Sequence, residues 1–102
     1  MTTTRPGLWL SDTATAQVRP LELRDPGRVS MYVCDPSVYH VPHLGRGRFA
    51  LFYDVLRRFL EFCGYSVRYV SNITDIEAKL IERAKVEGRS VKDLASFYEC
   101  LW

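Results

Sequence analysis

The sequence is poor in the residues that build staples and metal cages. Its three cysteines, Cys34, Cys63 and Cys100, are odd in number, widely spaced and without a C-x-x-C pair. That excludes a disulfide framework and a self-contained zinc knuckle. No apolar run approaches the length needed to cross a membrane. The start, Met1 to Arg5, is polar with no long apolar core behind it, so no signal peptide is expected. Charge of one sign is scarce too. Fourteen Lys and Arg against 12 Asp and Glu leave a net charge of +2, without the basic bias of a dedicated nucleic-acid binder. There is no internal repeat and no low-complexity segment. The expected setting is soluble, reducing and cytoplasmic.

What is present is a core-forming composition in a short chain. The 102 residues are 47% hydrophobic and 13% aromatic, enough for one small domain with little margin in buried area. Residues 1–7 read as a frayed polar start. An apolar stretch begins at Gly7-Leu8-Trp9-Leu10, and Gln17 to Leu23 alternates so that it could pair back as a strand, with Pro20 restricting it to an edge. Asp25-Pro26-Gly27 is a turn signal. Val29 to Cys34 then reads as a short buried strand, followed by a loop from Asp35 to Gly45.

From about Arg46 the apolar positions Phe49, Phe52, Tyr53, Leu56, Phe59, Leu60 and Cys63 recur at helical spacing, and Gly64 suits the residue after the helix. Its tyrosines and phenylalanines are expected in the core. Ser66 to Val70 alternates like a strand. The resulting β-α-β unit calls for two parallel strands. Thr74 and Glu77 have capping-box spacing ahead of a helix from Ile76 to Val86, and Ser90 with Asp93 resembles an N-cap before a helix from Val91 to Leu101. The expected architecture is α/β, with residues 1–28 as an extension or hairpin. Residues 29–102 are expected to hold the β-α-β unit plus two further helices.

Chemistry-bearing residues gather around the strand-to-helix turn. A helix N-terminus beyond the carboxyl end of a parallel strand favours anions such as phosphate. Gly45 and Gly47 would let a ligand approach closely, and Arg46 and Arg48 add positive charge. On spacing alone, a plain glycine turn flanked by solvated arginines accounts for the same residues. His43 could donate to a phosphate oxygen in a transition state; as a lone histidine it also suits a cap or a surface. His40 carries less argument. Cys34 could ligate zinc as a thiolate, or sit as a small buried hydrophobe. Thr74 and Asp75 fall on the same edge of the sheet, where helix capping is the alternative role.

In order, "MYVCDPSVYHVPHLGRGR", "YDVLRR" and "SNITDIEAKLIERA" resemble the amino-terminal half of the catalytic domain of cysteinyl-tRNA synthetases. These are class I aminoacyl-tRNA synthetases, and the resemblance implies that residues 29–102 are half of a Rossmann-type nucleotide-binding domain. The family shows Met-Tyr-Val-Cys-Gly-Pro-Thr-Val-Tyr, a His-Ile-Gly-His signature, Asp-Val-Leu-Arg-Arg and Asn-Ile-Thr-Asp-Ile. The resemblance implies that His43, Leu44 and Gly45 occupy the first three signature positions, which hold ATP with its Mg, and that Arg46 stands where the second signature histidine would be. His43 and Arg46 would be catalytic. Cys34 matches the first zinc ligand, whose metal binds the substrate thiolate, and Thr74 matches a residue lining the cysteine pocket. Asp35 replaces a glycine and Ser37 a threonine of that pocket.

The implied activity is ATP-dependent activation of cysteine, or a relative of it, to an aminoacyl-adenylate. In the family the amino acid then passes to the tRNA 3′ end. The other zinc ligands, the Lys-Met-Ser-Lys-Ser loop and an anticodon-binding region find no counterpart in these 102 residues. The zinc site is therefore expected to be incomplete, and tRNA charging to need a partner chain. Parallel sheets are normally covered on both faces, so self-association or a partner is expected as well. The alternatives are a non-catalytic nucleotide-binding or regulatory paralogue, or an inert synthetase fragment.

Overall fold

The structure, a computed structural model, describes residues 7–102. The frayed start expected over residues 1–7 lies, but for Gly7, outside the described residues. The chain opens with an antiparallel hairpin of β1 (Trp9–Asp12) and β2 (Gln17–Pro20). Pro20, which cannot donate to a ladder, sits at the end of β2 opposite Trp9. Asp12 closes the hairpin, accepting from the Ala14 N–H at 3.0 Å and the Thr15 hydroxyl at 2.7 Å.

The central unit is β3 (Arg28–Ser37), α1 (Leu44–Phe62) and β4 (Ser66–Thr74), with β3 and β4 parallel as expected. Both strands run further than the alternation indicates, because pairing continues to Ser37 opposite Thr74. The register shifts between Cys34 and Ser37. Cys34 pairs with Asn72 and Ser37 with Thr74, so β3 carries one residue more than β4 across this step. Pro36 falls inside it, and a residue without an N–H is tolerated where the ladder is interrupted.

Helix α1 starts at Leu44, two residues before the expected Arg46, because His43 caps it. At its far end the Tyr65 N–H reaches the Leu60 carbonyl at 3.0 Å and the Gly64 N–H reaches the Glu61 carbonyl at 2.9 Å. This is a Schellman closure, and it needs the φ of 84° that Gly64 adopts. Asp54 accepts from Arg57 at 3.1 Å and Arg58 at 2.8 Å along the helix surface.

The expectation that the aromatic residues of α1 are core is corrected. Leu60 is the buried residue of α1, while Phe52, Phe59 and Phe62 are exposed, Phe62 by 89%. Two strands about 5 Å apart cannot cover a 19-residue helix that carries apolar side chains on two faces. At 3.6 residues per turn, the exposed Leu44, Leu51, Phe52, Val55, Phe59 and Phe62 fall within one arc of about 100°. Leu60 lies on the other apolar arc, and α1 packs on β4.

Helices α2 (Ala78–Glu87) and α3 (Val91–Glu99) form a second centre. Leu80, Ala84, Leu94, Ala95 and Tyr98 close around Val38, with Tyr39 and Val91 packed against them. Arg83 lies over the Tyr98 ring at 5.2 Å and donates to Glu87 at 2.7 Å, which raises its pKa. Ser90 caps α3 as expected, its hydroxyl accepting from the Asp93 N–H at 3.1 Å. The capping box expected from Thr74 and Glu77 does not form. Thr74 belongs to β4, and Glu77 stands at the N-cap of α2 without a side-chain cap bond. Burial is thus split between the sheet side and the helix pair. The radius of gyration is 18.1 Å, against about 13 Å for a compact chain of this length.

Candidate functional site

The parallel pairing brings the carboxyl ends of β3 and β4 together, and this edge carries the candidate residues. Paired residues of neighbouring strands share a face of the sheet, and residues two apart on one strand share it too. Asn72 and Thr74 therefore lie on one face, together with their partners Cys34 and Ser37. In an unbroken strand Cys34 and Ser37, three apart, would point to opposite faces. The extra residue at Asp35-Pro36 brings Ser37 round to the Cys34 side. This is the face away from buried Val29 and Val33, and Cys34 is exposed on it. The irregularity assembles three of the four expected amino-acid-pocket residues; Asp35 lies within it.

Asn72 was not singled out from the sequence. Its Nδ2 donates to the Thr74 hydroxyl at 3.2 Å, while its Oδ1 is buried without a partner. That bond orients Thr74 on the shared face. The signal was available in the alternation of β4, once the strand is continued past Val70.

His43 sits beyond this edge at the start of α1. The Gly45 N–H donates to its Nδ1 at 3.0 Å, and its carbonyl accepts from the Arg46 N–H at 2.9 Å and the Gly47 N–H at 3.2 Å. A Cβ on Gly45 would meet the His43 Cε1 at 2.8 Å, whereas one on Gly47 would meet nothing within 4 Å. The two glycines of the turn therefore differ. Gly45 makes room for the His43 ring and Gly47 faces open space. Arg46 is half-buried and Arg48 exposed. His40 turns elsewhere, its ring parallel to that of Tyr98 at 6.3 Å and its Nδ1 3.3 Å from the Val41 carbonyl. Among the described residues no hydrogen bond joins His43 to Cys34, Ser37 or Thr74. The structure thus gives a histidine at a helix start and a polar face at a sheet edge, as two neighbouring parts in sequence.

The donor set does not fit a bound zinc ion. Among the described residues no three His, Cys, Asp or Glu side chains come together to hold a metal, and one thiolate cannot complete a tetrahedral shell. No helix among the described residues is long and apolar enough to cross a membrane.

A parallel β-α-β unit whose helix starts beyond the carboxyl edge is the architecture of nucleotide-binding α/β proteins. Residues 20–101 match the family described as tRNA synthetases class I (C) catalytic domain, and the chain belongs to that family. It is 49% identical over 89 residues to the cysteine–tRNA ligase of Staphylococcus carnosus (strain TM300), covering 87% of this chain and 19% of that protein. It is 46% identical over 92 residues to that of Brevibacillus brevis (strain 47), covering 90% and 20%. For the ligase of Staphylococcus aureus (strain JH9) the identity is 46% over 89 residues. The chain spans about a fifth of the length of the curated relatives it matches.

Proposed function

We propose that this chain binds ATP with its Mg and activates an amino acid, cysteine or a close relative, to an aminoacyl-adenylate in the cytoplasm. The amino-acid carboxylate attacks the α-phosphorus, the bond from that phosphorus to the bridging oxygen breaks, and pyrophosphate leaves. There is little covalent work for the protein in such a step, so its part is positioning and charge stabilisation. In this reading His43 and Arg46 face the phosphates at the start of α1, with Gly45 beside them. Cys34, Asp35, Ser37 and Thr74 line the amino-acid pocket. The observation that carries the reading is the irregularity at Asp35-Pro36, which puts Cys34, Ser37 and Thr74 on one face at the edge that His43 follows. Transfer to tRNA belongs to the same reading only with further polypeptide that carries the parts these 102 residues do not. The exposed apolar arc of α1 supports such a covering surface.

Amino-acid-dependent ATP–pyrophosphate exchange on the purified chain, cysteine first and a panel after it, is the test. Exchange that depends on cysteine supports the reading. ATP binding without exchange supports instead a nucleotide-binding paralogue, or a half that needs its partner. Loss of both overturns the assignment of an active site and leaves an inert fragment.

A further inference from the structure

We infer that Gly45 is a positioning residue that holds His43 as the neutral imidazole with its proton on Nε2, so that the ring presents one N–H donor outward from the start of α1. This deepens the proposed ATP site and rests on that reading for its ligand, though not for its geometry. Two observations carry it. The Gly45 N–H donates to Nδ1 at 3.0 Å, so Nδ1 must offer a lone pair, and in a neutral imidazole the other nitrogen then bears the hydrogen. Independently, the ring lies where a side chain on Gly45 would be, with the Cε1 2.8 Å and Nδ1 3.1 Å from an added Cβ. A ring flip would place a carbon against the Gly45 N–H and forfeit the bond. The glycine thus fixes both the place of the ring and its tautomer.

The consequence is chemical. A neutral ring that donates from Nε2 can hydrogen-bond a phosphate oxygen without giving up a proton, while its other nitrogen holds the helix start. The ring has two separable halves. Asparagine reproduces the Nδ1 acceptor and is a good N-cap, but has nothing at the Nε2 position. Glutamine reaches the Nε2 position and lacks the acceptor placed for the cap.

The test is nitrogen-15 NMR of histidine-labelled chain without nucleotide at about pH 8, where imidazole is neutral, with His40→Gln used to assign the two rings. The expected result is His43 as a single Nε2–H tautomer, converting to a tautomer mixture in Gly45→Ala. A proton on Nδ1 in the parent, or an unchanged Nε2–H signature in Gly45→Ala, overturns the inference. His43→Asn and His43→Gln give a second readout. The first is expected to unfold at the parent temperature yet lose at least tenfold in ATP affinity. The second is expected to unfold lower and keep more of the affinity. ATP affinity unchanged in His43→Asn overturns the donor role. If the parent chain itself binds no ATP, the proposed function fails, and the tautomer stands or falls on the NMR signature alone.

Discussion

Replacing Gly47 by alanine should stabilise this chain, which is an unusual expectation for a glycine beside a candidate site. Gly47 lies in the first turns of α1, and its φ is not among the positive ones. A Cβ there would meet nothing within 4 Å. Glycine inside a helix costs about 1 kcal/mol relative to alanine, through backbone entropy in the unfolded chain. The substitution should therefore gain about 1 kcal/mol, a rise of about 4–8 °C in Tm for a domain of this size. Gly45→Ala provides the contrast. Its propensity gain is similar, but its Cβ would press on the His43 ring at 2.8 Å and threaten a cap worth about 1 kcal/mol. The two terms nearly cancel, so Tm should stay or fall. Thermal unfolding followed by far-ultraviolet circular dichroism measures both. A lowered Tm for Gly47→Ala, or equal shifts in the two variants, would refute the distinction between the glycines. ATP titration of the same variants adds the ligand's view. A Gly47→Ala protein that is more stable yet fails to bind would mean that the open space at Gly47 is reserved for the nucleotide.

Leu94→Ala empties a fully buried position between α2 and α3 and should cost about 2–5 kcal/mol, seen as lost amide protection in both helices; protection retained there would contradict the helix-pair core. Ser90→Ala removes the N-cap of α3 and should cost about 1 kcal/mol, read from the urea midpoint. Asp12 is held below its ordinary pKa of 3.8 by the Thr15 hydroxyl and then the Ala14 N–H. Because the folded value is depressed, its support of the hairpin is present above the ordinary value and is lost as pH falls through the folded one. The Ala14 amide resonance should accordingly hold steady from neutrality to about pH 4 and move only below it; movement above about pH 5 would contradict this. Phe59→Glu puts a charge into the exposed apolar arc of α1 and should shift any self-association toward monomer in sedimentation experiments; an unchanged distribution would place the contact elsewhere.

Much of the fold could be read from local patterns, and the misreadings share one cause. The end of α1 at Gly64 and the start of α3 at Ser90 depend on a few consecutive residues, and both are where the pattern puts them. The hairpin was visible in the alternation of Gln17 to Leu23 and the apolar run before it. Thr74 ends β4 on the Cys34 edge as expected, but its capping box with Glu77 does not form, because Thr-x-x-Glu serves a helix start and a strand end equally well in sequence. Only Ser37, far away in the chain, decides for the strand by pairing with it. The aromatic residues of α1 were misjudged for the same kind of reason. Helical spacing reports that a residue lies on an apolar face, and says nothing of whether anything packs against that face. At the site, Cys34, Ser37 and Thr74 could be grouped from the resemblance alone. Their common face depends on the register shift at Pro36, and Asn72 enters only when β4 is followed to its end.

The geometry also orders what the isolated chain should keep and lose. In the proposed reading, nucleotide binding draws on the His43 cap and the carboxyl ends of β3 and β4, which lie within these residues. Activation asks for more, because electrostatic stabilisation of the reacting phosphate is strong only where water is excluded. Here the candidate amino-acid face carries an exposed Cys34, and α1 shows a whole apolar arc to solvent. A surface that covered that arc would remove apolar area from water and would also begin to close the edge beside it. Stability and catalysis would then rise together on association. ATP binding should therefore be detectable in dilute chain, with exchange increasing more steeply than linearly in chain concentration. Exchange strictly proportional to concentration would show instead that the open edge suffices for the chemistry.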